Sequence, residues 1–428
     1  MARAKKETAL TLEERLQAAL VPDWEWPYKL PENWCWLKLV ESFDNHTDSK
    51  KKIKQKDYLV KGKLAVVDQG QELIGGYTND VEKSYSGALP IVIFGDHTRC
   101  IKFVDFPFAQ GADGVKVLRP KPFYLPKAFY YALQSVNIPN LGYRRHFPLF
   151  NKFSIPLPPF AEQQRIVDRI ESLFAKLDEA KEKAQTVVDS FETRKAAILH
   201  KAFTGELTAK WREKHGVSID NWKTTRFDSV AAIRSNLVDP AEYQSFPHIA
   251  PDNIEKKTGV LLEYHTIAED GVTSGKHRFY SGQILYSKIR PYLSKVVVVD
   301  FDGLCSADMY PIEAYQNARC LWYYMLSDEF LLQASTAGSR SVLPKINQKE
   351  LSALTVHLPT NDREQEEIAR ILDELFDKEQ QTKEASEIVL DQIELMKKSI
   401  LARAFRGELG TNDPSEESAV ELLKRTIL

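Results

Sequence analysis

Apolar positions along this 428-residue chain fall into two alternating kinds of pattern. Between Phe160 and Thr204 there is neither Gly nor Pro. Apolar or small residues recur there at Ile166, Ile170, Leu173, Leu177, Ala180, Ala184, Val187 and Phe191. The steps alternate four and three, as in the seam of a helix that packs on another helix. Pro158 and Pro159 suit the start of such a helix and Gly205 a left-handed cap at its end. A helix of about 44 residues would be roughly 65 Å long. A second stripe runs through Ile368, Leu372, Leu375, Val389, Ile393, Met396 and Ile400, with a polar middle at Glu379, Thr382 and Ser386. Neither helix can hide such a stripe alone, so each predicts a partner. The simplest partner is the other stripe, paired antiparallel within one chain.

Outside these stretches the apolar runs are short and punctuated. LAVVDQG (64–70) and IVIFGDH (91–97) are rich in branched residues and close on Gly and Asp, which predicts strands; RCIKFVDF (99–106) alternates. FYYALQS (129–135) predicts a helix. Further on, GQILYSKI (282–289) and SKVVVVDF (294–301) read as strands and CLWYYML (320–326) as helix. Both regions predict α+β modules with a twisted, mostly antiparallel sheet. A short amphipathic helix is expected over about residues 11–20.

The order of patterns repeats. Shifted by about 202 positions, Ile166 meets Ile368, Phe174 meets Phe376, Asp189 meets Asp391 and Leu199 meets Leu401. AFTGEL (202–207) and AFRGEL (404–409) close the two copies, and LPPFAEQQ (157–164) faces LPTNDREQ (358–365). Fainter echoes lie upstream. ENW (32–34) answers DNW (220–222), GAD (111–113) answers SAD (306–308), and LGYRR (141–145) answers AGSRS (337–341). The chain reads as module, spacer, module, spacer.

Composition narrows the function. The formal net charge is −2, against a protein that coats nucleic acid by bulk charge. Locally the balance shifts. Residues 22–152 carry 19 Lys/Arg against 14 Asp/Glu, and residues 359–410 carry 8 against 13. No apolar run approaches the length of a membrane span, and no signal peptide is expected. Four cysteines at 35, 100, 305 and 320 have no metal-ligand or disulfide spacing, which suits a reducing cytoplasm. No phosphate loop, GxGxxG, HExxH, EF-hand loop or GxSxG is present. LPPF (157–160) has only a superficial likeness to the NPPY tetrapeptide of adenine methyltransferases and reads as a helix start. Catalysis by this chain is not expected.

Recognition remains. Arg144 and Arg145 follow Gly142 in the first module, and Arg340 follows Gly338 in the second. Gly lets backbone approach closely, and Arg reads guanine edges or clamps phosphate. His97, Arg99 and Lys102 cluster in one turn, and Lys288 and Arg290 are interleaved with Tyr286 and Tyr292. Lys51 and Lys52 open the basic run KKIKQK (51–56), suited to phosphates. Each of these stretches is equally a solvated charged loop when taken singly.

IPLPPFAEQQRI (155–166), the AFxGEL pair, TAKWRE (208–213) and DPSEESAVELLKR (413–425), in this tandem arrangement, resemble the specificity subunit of type I restriction–modification systems. The resemblance implies an N-terminal segment (1–21), a first target-recognition domain (22–157) and a first spacer helix (158–207). A second recognition domain (208–358), a second spacer helix (359–410) and a short C-terminal helix (411–428) follow. The fold class is then α+β, with two pseudo-symmetric DNA target-recognition domains and an antiparallel intramolecular coiled coil. The resemblance implies a non-catalytic chain reading bipartite double-stranded DNA without cofactors of its own. Its partners would be two modification subunits, carrying S-adenosylmethionine, and restriction subunits using ATP and Mg. One helical turn of DNA, about 34 Å, would separate the half-site centres. The alternatives are the recognition portion of a single-chain restriction–methylation enzyme, which needs a catalytic domain on the same chain, and a coiled-coil scaffold that binds no DNA.

Overall fold

The computed structural model describes residues 11–338 and 344–426. Its helices are α1 (Leu12–Ala19), α2 (Pro126–Ser135), α3 (Phe160–Asp189), α4 (Phe191–Phe203) and α5 (Ala209–His215). They continue with α6 (Ala318–Met325), α7 (Asp328–Ala337), α8 (Gln348–Ala353), α9 (Asp362–Ala404) and α10 (Ala419–Thr426). The chain divides into two compact units. One joins Met1–Lys183 to Val389–Leu428, and the other is Ala184–Ile388.

In the first unit Cys35–Lys38 (β1), Phe43–Asn45 (β2), Leu64–Val67 (β3), Gly76–Thr78 (β4) and Ile91–Gly95 (β5) precede Ile101–Val104 (β6), Phe108–Gln110 (β7), Val115–Pro120 (β8) and Ser154–Leu157 (β9). They form sheets ordered β2-β8-β5-β6, β4-β3-β7 and β1-β9. All pairs are antiparallel except β3 with β7. Every β5 side chain from Ile91 to Phe94 is fully buried, so this run has a core on both faces. One apolar cluster joins Phe94 and Phe129 to Ile166 and Ile170 of α3, Leu401 and Phe405 at the end of α9, and Leu422 and Leu423 of α10.

The second unit repeats the plan. Its strands are β10 (Trp222–Arg226), β11 (Ala231–Ile233), β12 (Leu237–Val238), β13 (Pro247–Ile249), β14 (His265–Thr266) and β15 (Lys276–Phe279). They are followed by β16 (Ile284–Ser287), β17 (Val296–Val298), β18 (Gly303–Cys305), β19 (Met309–Ala314) and β20 (Thr355–Pro359). The four-stranded order β11-β19-β16-β17 repeats β2-β8-β5-β6 place for place, and β10-β20 repeats β1-β9. The parallel pair β13–β18 stands where β3–β7 stands, inside a sheet enlarged by β12 and β15.

Inside each unit the long helices run in opposite directions. In the first, Asp178 pairs with Lys397 and Lys181 with Glu394, so the partner's number falls as the first rises. In the second, the Lys383 ammonium lies 4.9 Å from the Phe191 ring centroid, and Arg194 Nε donates to Glu379 Oε2 at 2.8 Å. The stripe of the first spacer faces inward. Ile166, Ile170 and Ala184 are buried, while Leu173, Leu177, Ala180, Val187 and Phe191 are half-buried. In α9, Ile368, Leu372 and Ile393 are buried and Leu375 and Ile400 half-buried.

Two expectations about the helices need correction. The first spacer is not one uninterrupted helix, because α3 ends at Asp189 and α4 begins at Phe191. The Val187 carbonyl oxygen accepts from Arg194 Nη1 at 3.1 Å, and the Ser190 hydroxyl donates to the Thr186 carbonyl oxygen at 2.5 Å. Side-chain donors feeding helix carbonyls are a recognised cause of a local break. Val389 and Met396 do not lie on the seam either, being 40% and 49% exposed. Leu390 and Lys397 take the inward places. From Leu375 the inward positions step by four twice, through Glu379 to Lys383, and then continue at Ser386, Leu390, Ile393 and Lys397. A straight α-helix turns 3.6 residues rather than 3.5, so one extra four-step rotates the stripe by a residue.

Candidate nucleic-acid interface

The repeated motifs meet at two buried carboxylates. Glu162, in the first turn of α3, is fully buried. It accepts from Trp34 Nε1 at 2.7 Å, Asn412 Nδ2 at 2.9 Å and Thr411 Oγ1 at 3.1 Å. Glu364, in the first turn of α9, is its counterpart and accepts from Arg212 Nη1 at 2.7 Å, Thr208 Oγ1 at 2.8 Å, and Trp222 Nε1 and Asn221 Nδ2 at 3.0 Å. Each module's opening Trp is thus tied to the start of one long helix and to the segment following the end of the other. A carboxylate here also opposes the positive end of its helix. The neighbouring Gln163 and Gln365 hold the strand exits, donating to the Pro158 and Pro359 carbonyl oxygens respectively. AFxGEL supplies the helix end these knots need. Phe203 and Phe405 are buried, and Gly205 and Gly407 turn the chain at φ +79° and +76°. A Cβ on Gly407 would lie 2.4 Å from Pro31.

Held on this frame, the first module opens a cleft of about 530 Å³ where the parallel strands β3 and β7 end. The basic run reaches it because Ile53, its one apolar residue, is buried. Ile53 N–H donates to the Gln110 carbonyl oxygen at 2.9 Å, and Ala112 N–H donates to the Ile53 carbonyl oxygen at 2.7 Å. Lys54 and Lys56 then line the cleft beside Gln69, His97, Thr98, Asp113 and Tyr143. The His97 and Tyr143 rings stack at 4.8 Å, and His97 Nδ1 lies 3.1 Å from the Tyr143 carbonyl oxygen. The turn after β5 and the LGYRR loop, 46 residues apart, are therefore one surface. Arg144 and Arg145 are exposed on that loop. Arg99, at φ +62°, donates through Nη1 to the Ile138 carbonyl oxygen at 3.0 Å. Lys51 Nζ donates to the Ser84 carbonyl oxygen at 3.1 Å, and Lys52 is half-buried.

Lys102 is a correction, because its side chain is only 5% exposed. Its ammonium donates to the Glu72 carbonyl oxygen and lies 3.5 Å from Asp68 Oδ1. Burial pushes its pKa below the ordinary lysine value, with Asp68 pulling the other way. A cation so enclosed braces the fold and reaches no phosphate. The sequence groups Lys102 with His97 and Arg99 in one turn; the polar group that meets it is the Glu72 carbonyl oxygen, far away in sequence.

The second module builds the same corner. Ser306 N–H donates to the Ile249 carbonyl oxygen at 2.8 Å, as Gly111 N–H donates to that of Val67 at 2.9 Å, so SAD and GAD leave equivalent strand ends. Arg290 is exposed at φ +49°, and its N–H donates to the Pro344 carbonyl oxygen at 2.7 Å. The turn after β16 therefore touches the segment before β20, as its counterpart does in the first module. Lys288 Nζ donates to the Ala307 carbonyl oxygen, and burial lowers its pKa. Arg340 lies outside the described residues.

Sequence reasoning misses Gln69, Asp113, Tyr143, Lys54 and Lys56 on this cleft, although the sequence holds signals for some of them. Tyr143 lies inside LGYRR, Asp113 ends GAD, and the two lysines belong to the basic run. Glu162 and Glu364 could have been found from the aligned EQ pair and the two Asn-Trp openings. Among the described residues no group of three or more His, Cys, Asp or Glu could hold a metal ion, and no helix is long and apolar enough to cross a membrane. Burial pushes the Cys35 thiol up to about 12.

Twinned modules, each knotted to the start of a long helix and each opening a polar corner at matching strand ends, define a doubled recognition protein. The type I restriction modification DNA specificity domain matches this chain twice, over residues 31–187 and 219–390. The chain belongs to that family: it is a specificity subunit of a type I restriction–modification system. It is 40% identical over 318 residues to the EcoDI specificity subunit of Escherichia coli, spanning 68% of this chain and 71% of that one. It is 25% identical over 289 residues to the EcoKI specificity subunit of E. coli strain K12, spanning 61% and 58%. Among solved structures, the HsdS subunit from Thermoanaerobacter tengcongensis aligns with a TM-score of 0.55 at 17% identity, over 90% of this chain and all of that one. A chain from a structure of a type I restriction–modification system aligns at 0.63 and 18%, with the same coverage. These two likenesses speak for the fold.

Proposed function

We propose that this chain is the non-catalytic reader of its system, acting in the cytoplasm. Residues 22–157 read one half of a bipartite double-stranded DNA target, residues 208–358 read the other, and 158–207 with 359–410 are the spacers between them. Two modification subunits, carrying S-adenosylmethionine, methylate adenine at the sites this chain selects. Restriction subunits supply cleavage with ATP and Mg. The observation that carries the reading is the doubling of one corner on one frame, with the same strand order, the same parallel-strand exit and the same buried Glu–Trp knot. In the first module we assign DNA contact to Arg144, Arg145, His97 and Arg99, with Lys51, Lys52, Lys54 and Lys56 toward phosphates. In the second we assign it to Lys288, Arg290 and Arg340.

The test is single-molecule methylome sequencing of cells expressing this chain with its modification subunit. The expected result is one motif with two specific half-sites separated by unspecified bases. Methylation without a motif, or a motif in one block, would refute the assignment. A scaffold that binds no DNA predicts no sequence-dependent affinity of the assembled complex in a salt-controlled assay.

A further inference from the structure

Two carboxylates of the wrong sign for a phosphate site line the cleft of the first module, and one of them, Asp68, lies 3.5 Å from the Lys102 ammonium. Asp113 is exposed there among Lys54, Lys56 and His97 and, among the described residues, makes no hydrogen bond or ion pair. Its place is fixed from both sides. Ala112 N–H donates to the Ile53 carbonyl oxygen at 2.7 Å, and the Gly114 carbonyl oxygen accepts from Asp96 N–H at 2.7 Å. A carboxylate held in a DNA-facing cleft repels the backbone, so it is favourable only where it meets a donor on a base. The major groove offers two such donors, the N4 amine of cytosine and the N6 amine of adenine. Adenine places the N7 lone pair beside its amine, guanine shows O6 and N7, and thymine shows O4. All of these lone pairs oppose a carboxylate. Read from the major groove, cytosine is the base that suits it.

The second module shows the contrast. Asp308 leaves the equivalent strand end, but Lys345 Nζ lies 3.0 Å from its Oδ1 and neutralises it. The two corners therefore present different chemistry, as two different half-sites require.

We infer that Asp113 is a specificity-determining residue of the first module, reading a cytosine in one half-site by accepting a hydrogen bond from its N4 amine. The inference rests on the DNA-reading role proposed above. The test compares methylomes of the chain and its Asp113→Asn and Asp113→Ala variants, each co-expressed with the modification subunit. An Asn side chain accepts from cytosine N4 and also pairs with adenine N6 and N7. Asp113→Asn should therefore broaden one cytosine position to cytosine or adenine, leaving the other half-site and the spacing unchanged. Asp113→Ala should accept any base at that position. Purified complexes assayed against duplexes carrying each of the four bases there should show wild-type discrimination of about ten-fold or more collapse in the Ala variant. Thermal unfolding is expected to match wild type, since the carboxylate is unpartnered. If both variants keep the wild-type base preference, or the broadening falls on a position that is not cytosine, the assignment is overturned. If the unmutated chain directs no motif, the DNA-reading role itself fails.

Discussion

The Lys102 ammonium and the Arg144 guanidinium carry the same charge in the same module and do unlike work. Lys102 is enclosed against the Glu72 carbonyl oxygen and Asp68, while Arg144 is exposed on the loop beside the cleft. Lys102→Met removes a buried donor and should cost roughly 1–3 kcal/mol of stability. It should leave the salt dependence of DNA binding by the assembled complex unchanged. Arg144→Ala should leave stability within about 0.5 kcal/mol. If Arg144 meets a phosphate, that variant should lower the slope of log affinity against log salt by about one. Urea denaturation and a salt titration separate the two residues, and a reduced slope for Lys102→Met would contradict its placement. The sequence marked both as basic residues beside Gly or a turn. What it could not mark is enclosure, because the groups that meet Lys102 come from a loop some 30 residues away. Tyr143 illustrates the same limit. Its motif was legible, but its stacking on His97 depends on how the chain folds back.

At the scale of the element, the long helices were legible because a heptad stripe without Gly or Pro has few other readings. Their faces were legible only in part. A strict alternation of four and three steps carries the stripe through Val389, Ile393 and Met396, but two successive four-steps put Leu390 and Lys397 inward on either side of Ile393. Glu379 and Lys383, at the step, are occupied by Arg194 and the Phe191 ring, partners that no periodicity reveals. Ile393→Ala should therefore destabilise by about 2–4 kcal/mol, as buried large-to-small changes do. Val389→Gln and Met396→Gln should stay within about 0.5 kcal/mol. Chemical denaturation checks both, and a comparable cost at Val389 and Met396 would restore the strict heptad. The break at Ser190 was hidden for a related reason, because neither Ser nor Arg interrupts a helix unless its side chain reaches a backbone carbonyl. Electrostatics reinforces the pairing in the first unit, where the Lys181 ammonium holds the Glu394 carboxyl below its ordinary range.

At the scale of the whole molecule, the internal repeat revealed more than any single motif. The EQ pair, the two Asn-Trp openings and the threonines that follow AFxGEL, Thr208 and Thr411, are far apart in sequence, yet in each unit they close on one buried glutamate. That convergence explains why the chain writes these short words twice. Each unit needs a helix start, a helix end and a module opening to meet. The candidate surface is less legible because equivalent residues meet different neighbours, with Asp113 open in one module and Asp308 paired with Lys345 in the other. A repeat records the frame both copies share and is silent about what each copy recognises.

The proposed function requires that each module read its own half-site independently. Replacing residues 22–157 with the corresponding module of another specificity subunit, and sequencing the methylome this chimera directs with the original modification subunit, tests it most directly. The expected motif has one half-site exchanged while the other half-site and the number of bases between them are preserved. A chimera that assembles and methylates but alters both half-sites, or neither, would contradict it.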